Sequence, residues 1–185
     1  KRFKLIRLGS NSPTRALILN TFGIDFIQNG GEFDEDSIQT TNPKSFCYEA
    51  TRGKFEELYK KYGIDEISLL VADSVVTCEG KLLRKAKDIS DAKYMLELQS
   101  GNKTSVITCM IYKSKEKELI DISITTYEFL PFDKKHMQEY LDSGECFGKA
   151  GAIMVEGFCK PYIKNVIGYE STAMGLCVEK LKFFL

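Results

Sequence analysis

Phe3-Lys4-Leu5-Ile6-Arg7-Leu8-Gly9-Ser10-Asn11-Ser12-Pro13-Thr14-Arg15 is the stretch on which the fold turns. Phe3 to Leu8 is apolar enough for a β-strand. Gly9 to Asn11 breaks it, Ser12 can cap a helix and Pro13 suits a first helical turn. The first N–H groups of that helix lack partners within it, and the helix dipole favours an anion beside them. Ser10, Ser12 and Arg15 add two hydroxyls and a guanidinium, the composition of a phosphate site. The same residues also read as a well-capped helix and nothing more, and the local sequence leaves both readings open.

Working outward, the first helix is expected from Ser12 to Phe22, with a short strand at Ile24 to Gln28. A polar loop, Asn29 to Asn42, carries Glu32, Asp34, Glu35 and Asp36. A second helix begins at Asn42-Pro43, again a cap followed by proline, and ends near Tyr62-Gly63. Ser68 to Cys78 reads as a buried strand, or a pair of strands interrupted at Asp73, and Glu79-Gly80 as a turn. Ser90 to Leu98 has apolar residues at helical spacing. Lys103 to Tyr112 and Glu118 to Phe129 read as a hairpin around the polar turn Lys113 to Lys117. In the second of these, Ile120, Ile122 and Ile124 alternate with Asp121, Ser123 and Thr125, giving one buried face. A helix at Asp133 to Ser143, strands near Ala152 to Val155 and Ile163 to Ile167, and a last helix at Ser171 to Phe184 complete the pattern. Hairpins mixed with helices point to a mixed α/β sheet in a single domain, residues 1–185.

The 185 residues carry 26 basic and 26 acidic side chains, a balance that argues against a general nucleic-acid binder. Apolar residues make up 43% of the chain, enough for a real core, with twelve Phe, nine Tyr and no Trp to fill it. Cys47, Cys78, Cys109, Cys146, Cys159 and Cys177 are evenly spread, without zinc-type spacing, as buried thiols of a reduced intracellular protein would be. No apolar run is long enough to span a membrane.

Asp73, inside Leu69-Leu70-Val71-Ala72-Asp73-Ser74-Val75-Val76, is a carbon-rich setting for a carboxylate. It calls for a partner, a hydrogen bond or a metal, or else for a tight turn in which the side chain bonds its own backbone. Glu35 lies in an acidic run of the kind that is usually solvated, and gains interest as a second oxygen ligand beside phosphates. Lys54 and Lys85 are each unremarkable alone. Ser143 to Gly151 is a glycine-rich loop opening onto a strand, able to bring backbone close to a ligand or to turn a corner. His136 reads as an exposed helix residue with no role. No Walker A or GxGxxG motif is present, and the lone histidine leaves no Ser/Cys–His pair.

The ordered series Ser10-Asn11-Ser12-Pro13-Thr14-Arg15, Gly23-Ile24-Asp25-Phe26, Asp34-Glu35, Lys54, Ala72-Asp73-Ser74-Val75-Val76, Leu83-Arg84-Lys85-Ala86, Ser100-Gly101, Tyr140, Gly144-Glu145, Lys149-Ala150-Gly151-Ala152, Glu156-Gly157 and Asn165-Val166-Ile167-Gly168 resembles the Maf family of nucleoside triphosphate pyrophosphatases over nearly the whole chain. The resemblance implies an elongated mixed α/β sheet with flanking helices and a central cleft between two lobes. It implies a cytoplasmic house-cleaning hydrolase that cuts between the α and β phosphates with a divalent cation, Mg, Mn or Co, and that can form a homodimer. Its implied roles are Ser10 and Arg15 on phosphate oxygens, Lys54 and Lys85 neutralising the triphosphate, Glu35 and Asp73 holding the metal, and Asp73 activating water. No nucleic-acid or membrane partner follows from it. A different reading, carried by the family's link to septum formation, is a nucleotide-binding inhibitor of cell division with little catalysis.

Several positions depart from the family pattern: Thr14, Arg84 and Ala86 around Lys85, Thr104, Gly148, and Tyr169-Glu170. Glu156 bears on the base. One branch, resembling dTTP/UTP pyrophosphatases, has Gln there; another, resembling 7-methyl-GTP pyrophosphatases, has Glu followed by Gly. Guanine presents adjacent N–H donors and a carboxylate only accepts, so Glu156 tilts the expectation to a guanine-type or broad substrate. Lys149 to Ala152 follows the first branch instead, and Glu156 pointing away from the base remains the plainer alternative.

Overall fold

The computed structural model describes residues 4–185. Seven strands form a mixed sheet in the order β2-β1-β3-β5-β6-β7, with β4 paired to β3. The elements are β1 (Ile6–Leu8), α1 (Pro13–Thr21), β2 (Phe26–Gln28), α2 (Pro43–Tyr62), β3 (Ser68–Cys78), β4 (Lys81–Leu83), α3 (Ile89–Gln99), β5 (Lys103–Lys113), β6 (Glu118–Phe129), α4 (Lys134–Ser143), β7 (Ile163–Ile167), α5 (Glu170–Met174) and α6 (Val178–Phe184). The mixed α/β class expected from the sequence is what the chain adopts. Phe3, where the first strand was expected to begin, lies outside the described residues. Among those residues no helix is long and apolar enough to cross a membrane.

The chain divides into two compact units, the first comprising residues up to Asp73, 108–123 and 175–185, the second 74–107 and 124–174. In the first, β1 runs parallel to both β2 and β3, pairing Ile6 with Phe26 and with Ser68. Parallel neighbours need crossovers, which α1 and α2 supply. Ser12 and Asn42 cap these helices through their side chains, each followed by proline, as the sequence indicates. Phe55 and Leu58 of α2 pack on Leu69 and Val71 of β3 and on Ile111 of β5.

In the second unit β4 folds back antiparallel on β3 and β7 lies antiparallel on β6, pairing Thr126 with Ile167. Asp88 and Asp133 cap α3 and α4. Their buried faces, with Leu96, Met137 and Leu141, meet Tyr127, Phe129 and Phe158 in one core. Tyr140 stacks on Phe158 at 4.5 Å between ring centroids and 7° between planes. His136 is half-buried rather than exposed, because its Nδ1 lies 2.8 Å from the Tyr162 hydroxyl and its ring packs on Phe158.

Of the two readings of Ser68 to Cys78 the single strand holds: β3 runs unbroken through Asp73, whose carboxylate finds a cation. Two further expectations need correction. No strand forms at Ala152 to Val155: Gly151 and Ala152 both take positive φ, and a single bridge joins Ala150 to Lys85. The last helix breaks into α5 and α6 at Gly175, where φ is +117°. β6 has the one inward face expected of it, and that face carries Asp121, Ser123 and Thr125. Ile120, Ile122 and Ile124 are 49%, 38% and 39% exposed. The inward groups satisfy one another: Ser123 donates to Asp121, Lys180 of α6 donates to Asp121, and Thr125 donates to the Tyr169 carbonyl.

Candidate active site

The loop between β1 and α1 is built around Ser10 and Arg15. Ser12 Oγ accepts from the Arg15 N–H at 3.3 Å, which makes it the helix cap. Ser10 Oγ, in a buried residue, accepts from the Ser12 N–H at 3.1 Å and from Arg15 Nη1 at 3.3 Å. Arg15 Nε donates to the Gly175 carbonyl at 2.7 Å. The guanidinium is therefore oriented by two oxygens before any ligand is considered. Burial pulls its pKa below the ordinary arginine value, and the negative charges of Asp73 and Glu35 act against that pull.

Lys54, on α2, bridges the two acids. Its Nζ lies 2.5 Å from Glu35 Oε1 and 3.2 Å from Asp73 Oδ1. Asp73 is 6% exposed. Burial raises its pKa, Lys54 draws it back, Glu35 raises it through charge and through a hydrogen bond, and Arg15 lowers it. Cys47 Sγ donates to the Asp73 carbonyl at 3.3 Å, tying α2 to β3 at the acid itself. Ser10, Arg15, Glu35, Lys54 and Asp73 thus belong to one unit, and charge connects four of them.

Glu35 reaches Lys54 because its loop is fastened to α2. Asp34 caps a single 3-10 turn, Glu35–Ser37, by accepting from the Asp36 N–H. The Glu32 N–H donates to Glu57 Oε1 at 2.7 Å. Phe33 lies directly over Gly53, where an added Cβ would come within 2.2 Å of its ring. The sequence reading missed Phe33, Gly53, Glu57, Cys47 and Gly175. Gly53 alone left a trace, as a glycine inside a helix that costs stability without a packing reason.

The two carboxylates suit a hard divalent cation, which takes one or two carboxylates and completes its shell with phosphate oxygens and water. Among the described residues no group of three or more His, Cys, Asp or Glu side chains is placed to hold a metal, so any further ligands would come from substrate and solvent.

Lys85 and Glu156 belong to the second unit. Lys85 is exposed and pairs through its backbone with Ala150. Glu156 is half-buried, in a turn where the Gly157 N–H donates to the Met154 carbonyl. Its charge contributes to the raised pKa of Tyr127 and Tyr140, behind burial.

The Ham1 protein of Staphylococcus aureus has a similar fold, with a TM-score of 0.55 over 98% of this chain and 97% of that one, at 12% identity. The chain is 54% identical over 179 residues to a nucleoside triphosphate pyrophosphatase of Nitratiruptor sp., covering 96% of each. It is 40% identical to the protein of that name from Helicobacter pylori strain J99, over 94% of this chain and 91% of the relative. The Campylobacter jejuni protein of that name is 35% identical, over 98% of this chain and 100% of the relative. The profile of the family described as Maf-like protein matches residues 5–185. The chain belongs to the Maf-like protein family.

Proposed function

We propose that the protein is a nucleoside triphosphate pyrophosphatase that hydrolyses the α–β phosphoanhydride, converting a nucleoside triphosphate and water into a nucleoside monophosphate, pyrophosphate and a proton. The observation that carries this reading is Lys54 held between Glu35 and Asp73 in the unit that also orients Arg15 from Ser10 and Gly175. Relatives named for this activity, similar over nearly their whole length, support it.

Phosphoryl transfer asks a protein mainly for positioning and charge neutralisation. Arg15, already fixed at Nε and Nη1, would receive phosphate oxygens without ordering a flexible side chain. Ser10 would turn its hydroxyl to the same group. Lys54 and Lys85 would neutralise the triphosphate. Asp73 would accept the proton of the attacking water, with Lys54 steadying the carboxylate. Glu35 and Asp73 would hold a divalent cation, Mg, Mn or Co, which when bound screens the phosphate charge. Glu156 favours a guanine-type base, 7-methyl-GTP among them, or a broad range, with a dTTP/UTP preference as the alternative.

A pyrophosphate-release assay over canonical and methylated nucleotides, with each of the three metals, tests the reading. Turnover with monophosphate as co-product is expected, lost in Asp73→Asn. Nucleotide that stabilises the fold yet is never consumed would replace the enzyme by a nucleotide-binding regulator.

A further inference from the structure

The segment Lys149 to Ala152 has an unusual backbone. Gly151 has φ +66° and Ala152 has φ +58°, the second being unfavourable for any residue with a Cβ. Each of these left-handed residues offers its carbonyl to a buried side chain. Gln99 Nε2 donates to the Gly151 carbonyl at 2.8 Å, and the Tyr140 hydroxyl donates to the Ala152 carbonyl at 2.9 Å. On its other side the segment meets Arg84-Lys85: the Gly151 N–H donates to the Arg84 carbonyl at 3.0 Å, and Ala150 pairs with Lys85.

Gln99 is a poor residue for a core. It is fully buried, and its Oε1 has no hydrogen-bond partner among the described residues. A buried amide with an unmet acceptor is less favourable than a thioether or leucine of similar volume. Its Nε2 also donates to the Met95 carbonyl at 3.1 Å, one turn back on α3, so the amide links that helix to the Gly151 carbonyl.

We propose that Gln99 and Tyr140 are positioning residues for Lys85. They grip the two left-handed carbonyls and so fix the segment whose backbone sets the Lys85 loop. The inference rests on the reading of Lys85 as a cation for the triphosphate, and it goes beyond that reading by naming what aims it.

Tyr140→Phe keeps the ring that stacks on Phe158 and removes only the hydroxyl. Gln99→Met keeps the volume. Each is measured alone and combined with Lys85→Ala. The readouts are pyrophosphate release, Kd for an α,β-methylene triphosphate, and Tm. In the parent each variant should lower kcat/KM and weaken analogue binding about tenfold, with Tm within a few degrees; in Lys85→Ala the further change in Kd should stay under about twofold. Equal losses in both backgrounds, or unchanged kinetics and binding in the parent, overturn the proposal while the role of Lys85 stands. Parent-like kinetics and binding in Lys85→Ala overturn that role, and this inference with it. Should Gln99→Met fail to fold, Tyr140→Phe carries the test.

Discussion

Replacing Gly53 by alanine separates the stability of α2 from the placement of Glu35. An alanine inside a helix is favoured over glycine by about 1 kcal/mol, so the substitution taken alone strengthens α2. The new Cβ, however, falls 2.2, 2.3 and 2.6 Å from three ring atoms of Phe33, where ordinary contact begins at 3.4 Å. Gly53 sits in the helix backbone and Phe33 in a loop, so Phe33 is the partner that gives way, by about 1.2 Å or more. Glu35 is two residues further along the same loop and lies 2.5 Å from Lys54. In the proposed role of Glu35, a misplacement of about 1 Å can cost about a hundredfold in rate. Gly53→Ala should therefore lower kcat/KM for pyrophosphate release about a hundredfold, with a Tm equal to or above that of the parent. The assay is steady-state pyrophosphate release beside a calorimetric melt. Phe33→Ala removes the obstruction, so Phe33→Ala/Gly53→Ala should be no slower than Phe33→Ala alone. Activity within twofold of the parent, or a loss matched by a falling Tm, would refute the argument that Phe33 on Gly53 sets the acid.

Asp73→Asn should reduce turnover by about 10²–10⁴-fold in the release assay while the melting temperature holds or rises, since a buried charge is removed and Lys54 keeps Glu35. Ser10→Ala removes the acceptor for the Ser12 N–H and Arg15 Nη1, and should raise KM more than it lowers kcat at a stability cost of about 1 kcal/mol, read by denaturant titration. Ser12→Ala should cost about 1 kcal/mol through the lost cap. Burial pushes the thiols of Cys109 and Cys159 up to about 11 and 12, from an ordinary value of 9.0. Their alkylation in the native protein should stay slow at pH 8, and all six cysteines should react once the chain is unfolded. Because the folded pKa lies above the unfolded one, the stability linked to Cys109 is complete below pH 9 and is lost as pH rises towards 11.

The β1–loop–α1 unit was legible because capping is local chemistry: Ser12, Pro13 and Arg15 act within one helical turn. Asp73 stood out for a similar reason, as a charge in an apolar run. The fastening of Glu35 left no such mark, since Phe33 and Gly53 are twenty residues apart and only folding brings them together. In β6 the period of two was readable, yet which face is inward depends on what covers it, and Lys180 of α6 covers Asp121. The break at Gly175 was hidden by apolar residues at helical spacing on both sides of it. Lys85 and Glu156 have no local signature at all and were named only through the family pattern.

The bond between Arg15 and the Gly175 carbonyl spans 160 residues. A ribosome adding about 5–20 residues per second makes the arginine roughly 8–30 seconds before its acceptor exists. In that interval the guanidinium lacks its Gly175 anchor. The second unit, residues 74–107 and 124–174, is synthesised in full before the first can close. Holding Arg15 from Gly175 thus ties the β1–α1 loop to the end of synthesis: that anchor becomes available only to a chain that has been read through to Gly175.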